Sequence, residues 1–189
     1  MNNRKGKITG TRLKDIVVKR GTGQKIGFYE IIAERLARPE SEYESAMERG
    51  HELEAEAIEN FAKNAEKKVN TDLVFWTRDD NENIAISPDG VIGDTEAVEV
   101  KCLSSSRHVE ALITQEIPKE HRMQMLQYFI VNEKLDILYF VFYDPRLIVK
   151  QMFYITVKRE DIEDEIAEYL EYQRNILSMI DEHINELTF

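Results

Sequence analysis

Residues 87–101 read Ser87-Pro88-Asp89-Gly90-Val91-Ile92-Gly93-Asp94-Thr95-Glu96-Ala97-Val98-Glu99-Val100-Lys101. Two short runs, Gly90–Ile92 and Ala97–Lys101, flank the turn-forming Gly93–Thr95, which is the composition of a β-hairpin. Side chains two apart on a strand share a face, so Glu99 and Lys101 point one way while Val98 and Val100 point into the core. Asp89 follows a proline at the head of the first strand, where hairpin pairing can bring it alongside Glu99. Two facing carboxylates repel unless a cation lies between them, and oxygen-only ligands suit Mg²⁺ or Mn²⁺. Lys101 beside them can orient an attacking water and offset charge on a phosphate, a set of parts for metal-assisted phosphodiester hydrolysis. An exposed hairpin with an i,i+2 Glu/Lys pair satisfies the same spacing, so the acids elsewhere in the chain carry weight.

One of those acids sits upstream, in Gly50-His51-Glu52-Leu53-Glu54-Ala55-Glu56. At helical spacing Glu52, Glu56 and Glu59 form one stripe, which reads as a solvated face. Glu54 instead aligns with Ile58 and Phe61 on the apolar stripe. A carboxylate there is costly unless it meets a cation or a partner, which makes Glu54 the candidate third metal-site acid. A snorkelling side chain at the edge of the stripe is the alternative.

Further outward, the spacing predicts a helix over Ile8–Val18, a basic loop over Lys19–Lys25, and a helix over Gly27–Leu36. A longer helix is expected from Tyr43 or Ala46 to Lys68, then strands over Leu73–Trp76, Ile84–Ile86, Gly90–Ile92 and Ala97–Lys101, with Arg78–Asn83 as a turn. An amphipathic helix over Pro118–Asn132 follows, led in by its proline. Strands Leu138–Tyr143 and Met152–Val157 are joined through Asp144-Pro145-Arg146, and Glu160–Leu187 closes the chain as one long acidic helix or a broken pair. This order predicts an α/β protein of the α+β type, a mixed central sheet flanked by helices. Trp76, Phe140 and Phe142 read as core, Cys102 as a packed thiol, and Asp144 with Arg146 as a turn and local ion pair.

No repeat or Pro/Gly linker divides the 189 residues, so one domain is expected. The longest apolar run, Ile137–Tyr143, is far too short to span a bilayer. A single cysteine excludes an internal disulfide or a cysteine-rich metal cluster. MNNRKGKITG has basic residues without the apolar stretch of a secretory signal, and the chain reads as cytoplasmic. Net charge is −11, yet residues 1–25 carry +7, leaving −18 on the rest. A basic end on an acidic body can hold phosphates locally while the remainder resists nonspecific binding, although a solvated basic tail has the same composition.

Asp89, Glu99 and Lys101, with Pro88 before the aspartate, match the PD-(D/E)xK nuclease signature. Their surroundings resemble the phage lambda-type exonuclease family, the YqaJ-like viral recombinases. The resemblance runs through ITGT near the start, RG-x₃-E at 49–54, SPDG at 87–90, E-x-KC at 99–102, a mid-helix glutamine and YDPR at 143–146. It implies a restriction-endonuclease-like core in which Asp89, Glu99 and the Val100 carbonyl bind Mg²⁺, Glu54 holds a water of the metal, and Lys101 positions the nucleophile. Gln124 matches the family's helix glutamine beside the lysine, with Gln127 as a rival. Arg4 and Thr11 match positions that bind a 5′-terminal phosphate, and Lys19-Arg20-Gly21 resembles a basic loop that reaches the DNA. A guanidinium can grip phosphate bidentately, so the chemistry agrees.

The resemblance further implies a Mg²⁺-dependent 5′→3′ exonuclease on double-stranded DNA that leaves 3′ overhangs for a strand-annealing partner. It also implies a homotrimeric ring in a bacterial host cell, with residues 1–25 contacting DNA; no membrane association is expected, given the short apolar runs. An endonuclease or single-strand-specific nuclease shares the core residues. A non-catalytic DNA-binding or assembly protein would not need every metal and lysine position intact.

Overall fold

The structure is a computed structural model describing residues 24–36 and 46–187, with the side chains of 46–51, 181 and 183–187 left aside. The helix expected over Ile8–Val18, most of the Lys19–Lys25 loop, and Arg4, Thr11, Lys19 and Arg20 lie outside the described residues. Helices α1 (Ile26–Leu36) and α2 (Ala46–Ala65) come first. Strands β1 (Trp76–Arg78), β2 (Asn81–Ile86), β3 (Gly90–Ile92) and β4 (Glu96–Lys101) follow, then α3 (Ser105–Thr114) and α4 (Lys119–Val131). Strands β5 (Ile137–Tyr143) and β6 (Met152–Lys158), a 3-10 turn over Arg159–Asp161 and the long α5 (Glu163–Leu187) complete the chain. Strands β1 and β2 form a small sheet, and the other four are ordered β3-β4-β5-β6, the mixed α+β architecture expected. No helix among the described residues is long and apolar enough to cross a membrane.

The chain divides into two compact units, with boundaries after α2, before α4 and within β4, β5 and β6. One comprises the chain up to Lys67 with Val100–Pro118 and Val141–Ile155. In it α1 packs on α3, where Tyr29, Ala33, Val109 and Leu147 form a buried cluster bordered by Ile26, Phe28, Ile32 and Leu36. Helix α3 is an addition to the sequence reading, which treats 103–117 as a connection. Ser104 caps it by accepting from the Arg107 amide at 3.4 Å, and Gln115 ends it in the left-handed region at φ 55°. Ten residues are too few for a stable isolated helix, so burial of His108, Val109 and Ala111 is what secures it. Helix α2 stops at Ala65 rather than Lys68. Glu66 turns left-handed at φ 53°, and the Lys67 amide returns to the Ala62 carbonyl at 3.0 Å, which closes the last turn.

The second unit comprises Lys68–Glu99, Lys119–Phe140 and the chain from Thr156 onward. Here α4 packs on β1, β2 and α5. The apolar run Leu73–Trp76 is not the strand its composition suggests: Leu73 and Phe75 are 105% and 69% exposed, and β1 begins at Trp76. Buried Arg78 accounts for the displacement. Its guanidinium donates to the Ile130 carbonyl at 2.5 Å and pairs with Glu133 and Asp80, anchoring β1 three residues further on. The turn shrinks accordingly to Asp79-Asp80. Helix α4 is amphipathic only in its first half, because Met125, Leu126 and Tyr128–Val131 are all buried. Arg159 crosses beneath its end and donates to the carbonyls of Phe129, Asn132 and Leu135, satisfying groups that a helix terminus leaves open. The chain's closing segment is one helix behind a 3-10 turn, which settles the choice between one helix and a broken pair.

Candidate active site

The expected hairpin over residues 90–101 forms. β3 and β4 are antiparallel, with Gly90 opposite Val98, Val91 opposite Ala97 and Ile92 opposite Glu96. Continued by one residue, this register sets Asp89 level with Glu99. Gly90 is fixed by crowding: a Cβ there would lie 2.5 Å from Val69 Cγ1. That bare backbone lets Val91 exchange both hydrogen bonds with Asn70, at 2.8 and 2.9 Å, which holds the strand immediately after Asp89.

Glu99 is 1% exposed, so the exposed-hairpin alternative fails. Ala97, Val98 and Val100 are buried as well, and β4 is covered on both faces rather than one. The Tyr128 hydroxyl donates to Glu99 Oε2, and the same phenol takes a backbone hydrogen bond from Asp89. Burial, and then the charges of Glu99 and Asp89, push the Tyr128 phenol far above its ordinary range, so it remains a protonated donor. Trp76 meets the Tyr128 ring edge-on with centroids 6.2 Å apart; half-buried, it is less enclosed than its reading as core.

Tyr128 is the site residue that the sequence reading missed. Its signal is the spacing Gln124-x-x-x-Tyr128, which places both on one face of α4. Gln124 is half-buried one turn before the tyrosine. The rival Gln127 is occupied elsewhere, donating to the Ala85 carbonyl at 3.3 Å and accepting from Gln173 at 2.7 Å. Asp89, Glu99, Gln124 and Tyr128 all belong to the second unit.

Glu54, Val100 and Lys101 belong to the first unit. Glu54 is half-buried on α2, at the border between buried Leu53, Ala57, Ile58 and Phe61 and exposed Glu52, Glu56 and Glu59. Val100 is buried, and Lys101 is half-buried at the end of β4. Glu56 is exposed as expected, yet it accepts from the Tyr143 hydroxyl at 2.6 Å. Burial, followed by that bond, raises the Tyr143 phenol well above its usual value. Asp144 and Arg146 form the expected ion pair at 2.8 Å, with Ser105 donating to the same carboxylate at 2.5 Å.

Among the described residues, no three His, Cys, Asp or Glu side chains are gathered to enclose a metal ion. An acid pair nevertheless suits Mg²⁺, which keeps several waters and is held by one or two carboxylates plus substrate phosphates rather than by a protein cage. At an effective dielectric of about 20, like charges about 4 Å apart repel by about 4 kcal/mol, so a cation between such acids recovers a sizeable energy. The donor set therefore fits a hard divalent cation.

Fold and site together describe a protein of nuclease type. Residues 1–134 match the YqaJ-like viral recombinase domain, and the chain belongs to that family. Two solved structures are similar along nearly the whole chain. One is the crystal structure of an alkaline exonuclease, LHK-Exo, from Laribacter hongkongensis, 27% identical with a TM-score of 0.58. The other is LHK-Exo in complex with dAMP, 26% identical with a TM-score of 0.58; each comparison covers 97% of this chain and 96% of the other. No curated protein matches. Family and structural neighbours both support a nuclease.

Proposed function

We propose that this protein is a Mg²⁺-dependent exonuclease that degrades double-stranded DNA 5′→3′ and leaves 3′ single-stranded overhangs, as in phage-type recombination. The observation that carries this reading is the convergence of Asp89 and buried Glu99 on Tyr128, within the segment matched to the family. In this reading Asp89, Glu99 and the Val100 carbonyl hold the cation, and Mn²⁺ could replace Mg²⁺. The bound ion would make a water more acidic and neutralise charge building on the phosphate. Glu54 would accept a hydrogen bond from a water held there, and Lys101 would orient the attacking water and offset phosphate charge. Gln124 supports the lysine.

The basic N-terminal segment would grip DNA: Arg4 and Thr11 hold the 5′-phosphate, and Lys19 and Arg20 track the backbone. A homotrimeric ring around the duplex, acting within the cytoplasm and passing its product to a strand-annealing protein, completes the proposal. The relative bound to dAMP, a deoxynucleoside monophosphate, supports stepwise release of that class of product.

The test is digestion of linear duplex DNA labelled at the 5′ or the 3′ end, with Mg²⁺ or with EDTA, alongside closed circles. Metal-dependent release from 5′ ends with circles intact is the expected result. Cut circles would mean an endonuclease on the same core, and the absence of cutting would favour a DNA-binding or assembly role.

A further inference from the structure

Tyr128 has more to do than fill space. Its side chain is fully buried, covered on one side by the edge of Trp76, and α4 fixes its backbone. The hydroxyl at its tip meets both acids, donating to Glu99 and taking a backbone hydrogen bond from Asp89. A glutamate's terminal torsion is broad and nearly two-fold, so an unrestrained carboxylate spreads its oxygens over many directions. A donor fixed on one oxygen removes that freedom and governs where the other can point.

We infer that Tyr128 is a positioning residue for the metal-binding acids, its single hydroxyl locking the Glu99 carboxylate while tying down the backbone at Asp89. The inference rests on the nuclease reading above and adds to it a residue that acts through the acids. Asp89 immediately precedes β3 and Glu99 lies on β4, and the hydroxyl bonds the backbone of the first and the side chain of the second. Metal binding then begins from acids already held in place, rather than from acids that must first be ordered.

Tyr128→Phe removes this hydroxyl and keeps the ring. Mn²⁺ binding is measured by calorimetry on the full chain without DNA, together with the melting temperature of the metal-free protein. The dissociation constant should rise about tenfold or more. In duplex digestion the half-saturating Mg²⁺ concentration should rise by a similar factor, and saturating Mg²⁺ should restore most of the rate. A lower melting temperature with unchanged Mn²⁺ affinity would make Tyr128 merely structural and overturn the inference. A rate that stays low at saturating metal would overturn it too, because the hydroxyl would then be acting in the chemical step. If the wild-type protein neither binds Mn²⁺ nor cuts DNA, the nuclease reading itself fails, a result distinct from a tight-binding Tyr128→Phe.

Discussion

Two carboxylates among the described residues are almost wholly removed from water, Glu99 at 1% exposed and Asp144 at 2%, and they are met by different donors. Asp144 is answered by its own chain. Arg146 closes on both of its oxygens at 2.8 and 3.0 Å, and Ser105 donates at 2.5 Å. Burial alone would raise the Asp144 carboxyl, but these donors outweigh it and hold the group below its ordinary value. Glu99 is met by a neutral phenol that also feels the negative charge of Asp89. The first arrangement fixes the turn after β5. The second sets Glu99 and the Asp89 backbone around one buried hydroxyl, and under the proposed function these acids would take a cation from outside.

The comparison breaks most easily at Glu99. Glu99→Gln keeps the shape and an acceptor for the Tyr128 hydroxyl while removing the charge that a metal needs. Cleavage of linear duplex should fall by about a thousandfold or more, on the order of 4 kcal/mol of transition-state stabilisation. Chemical denaturation of the metal-free protein should show a smaller stability loss than Asp144→Asn produces. Appreciable residual cutting would remove Glu99 from the reaction.

Asp144→Asn should do the reverse, costing about 3 kcal/mol because it removes the charge of one partner of the largely buried Asp144–Arg146 pair. The pH dependence has a definite direction. A depressed carboxyl stabilises the fold above its unfolded value of 3.8 and loses that contribution as pH falls through the folded value. Buried His108, its ring at 3.0 Å from the Lys150 carbonyl, is lowered mainly by burial and folds neutral. Its contribution is full above 6.5 and declines as pH drops below that value. Denaturation midpoints should therefore fall in two stages on acidification. Asp144→Asn should flatten the stage below about pH 4 and leave the one near 6.5; an unchanged acid limb would contradict the pairing.

The same contrast separates what the sequence disclosed from what it hid. Asp144 and Arg146 were readable because two residues apart across a proline is a local relation, and so was the hairpin, whose turn and alternation lie within fifteen residues. Tyr128 is 29 positions from Glu99, and its role depends on how α4 docks, which no local pattern encodes. Helix α3 went unread because its ten residues have little pattern of their own and are held by packing of His108, Val109 and Ala111, although Ser104 is a cap in plain view. The apolar run Leu73–Trp76 misplaced β1 because the decisive contacts are Arg78 to Ile130 and Glu133, more than fifty residues away. Residues 4–20, which carry the proposed grip on DNA, were legible only as charge and resemblance.

Tyr143 provides the finest test, since it repeats the chemistry of Tyr128 without the second acid beside it. Each is a buried phenol donating to a glutamate, but Glu56 is exposed where Glu99 is not. Water can replace the lost donor at exposed Glu56, whereas Tyr128 and Glu99 are both buried. Tyr143→Phe should therefore cost about 1 kcal/mol of stability, the net worth of an ordinary hydrogen bond. Mn²⁺ affinity should stay within about twofold of wild type, well short of the change that loss of an outer-shell partner brings. If Tyr143→Phe weakened metal binding as much as Tyr128→Phe, a hydroxyl near the acids would no longer be what matters. The effect would then follow from loosening any strand end, and the special standing of Tyr128 would be lost.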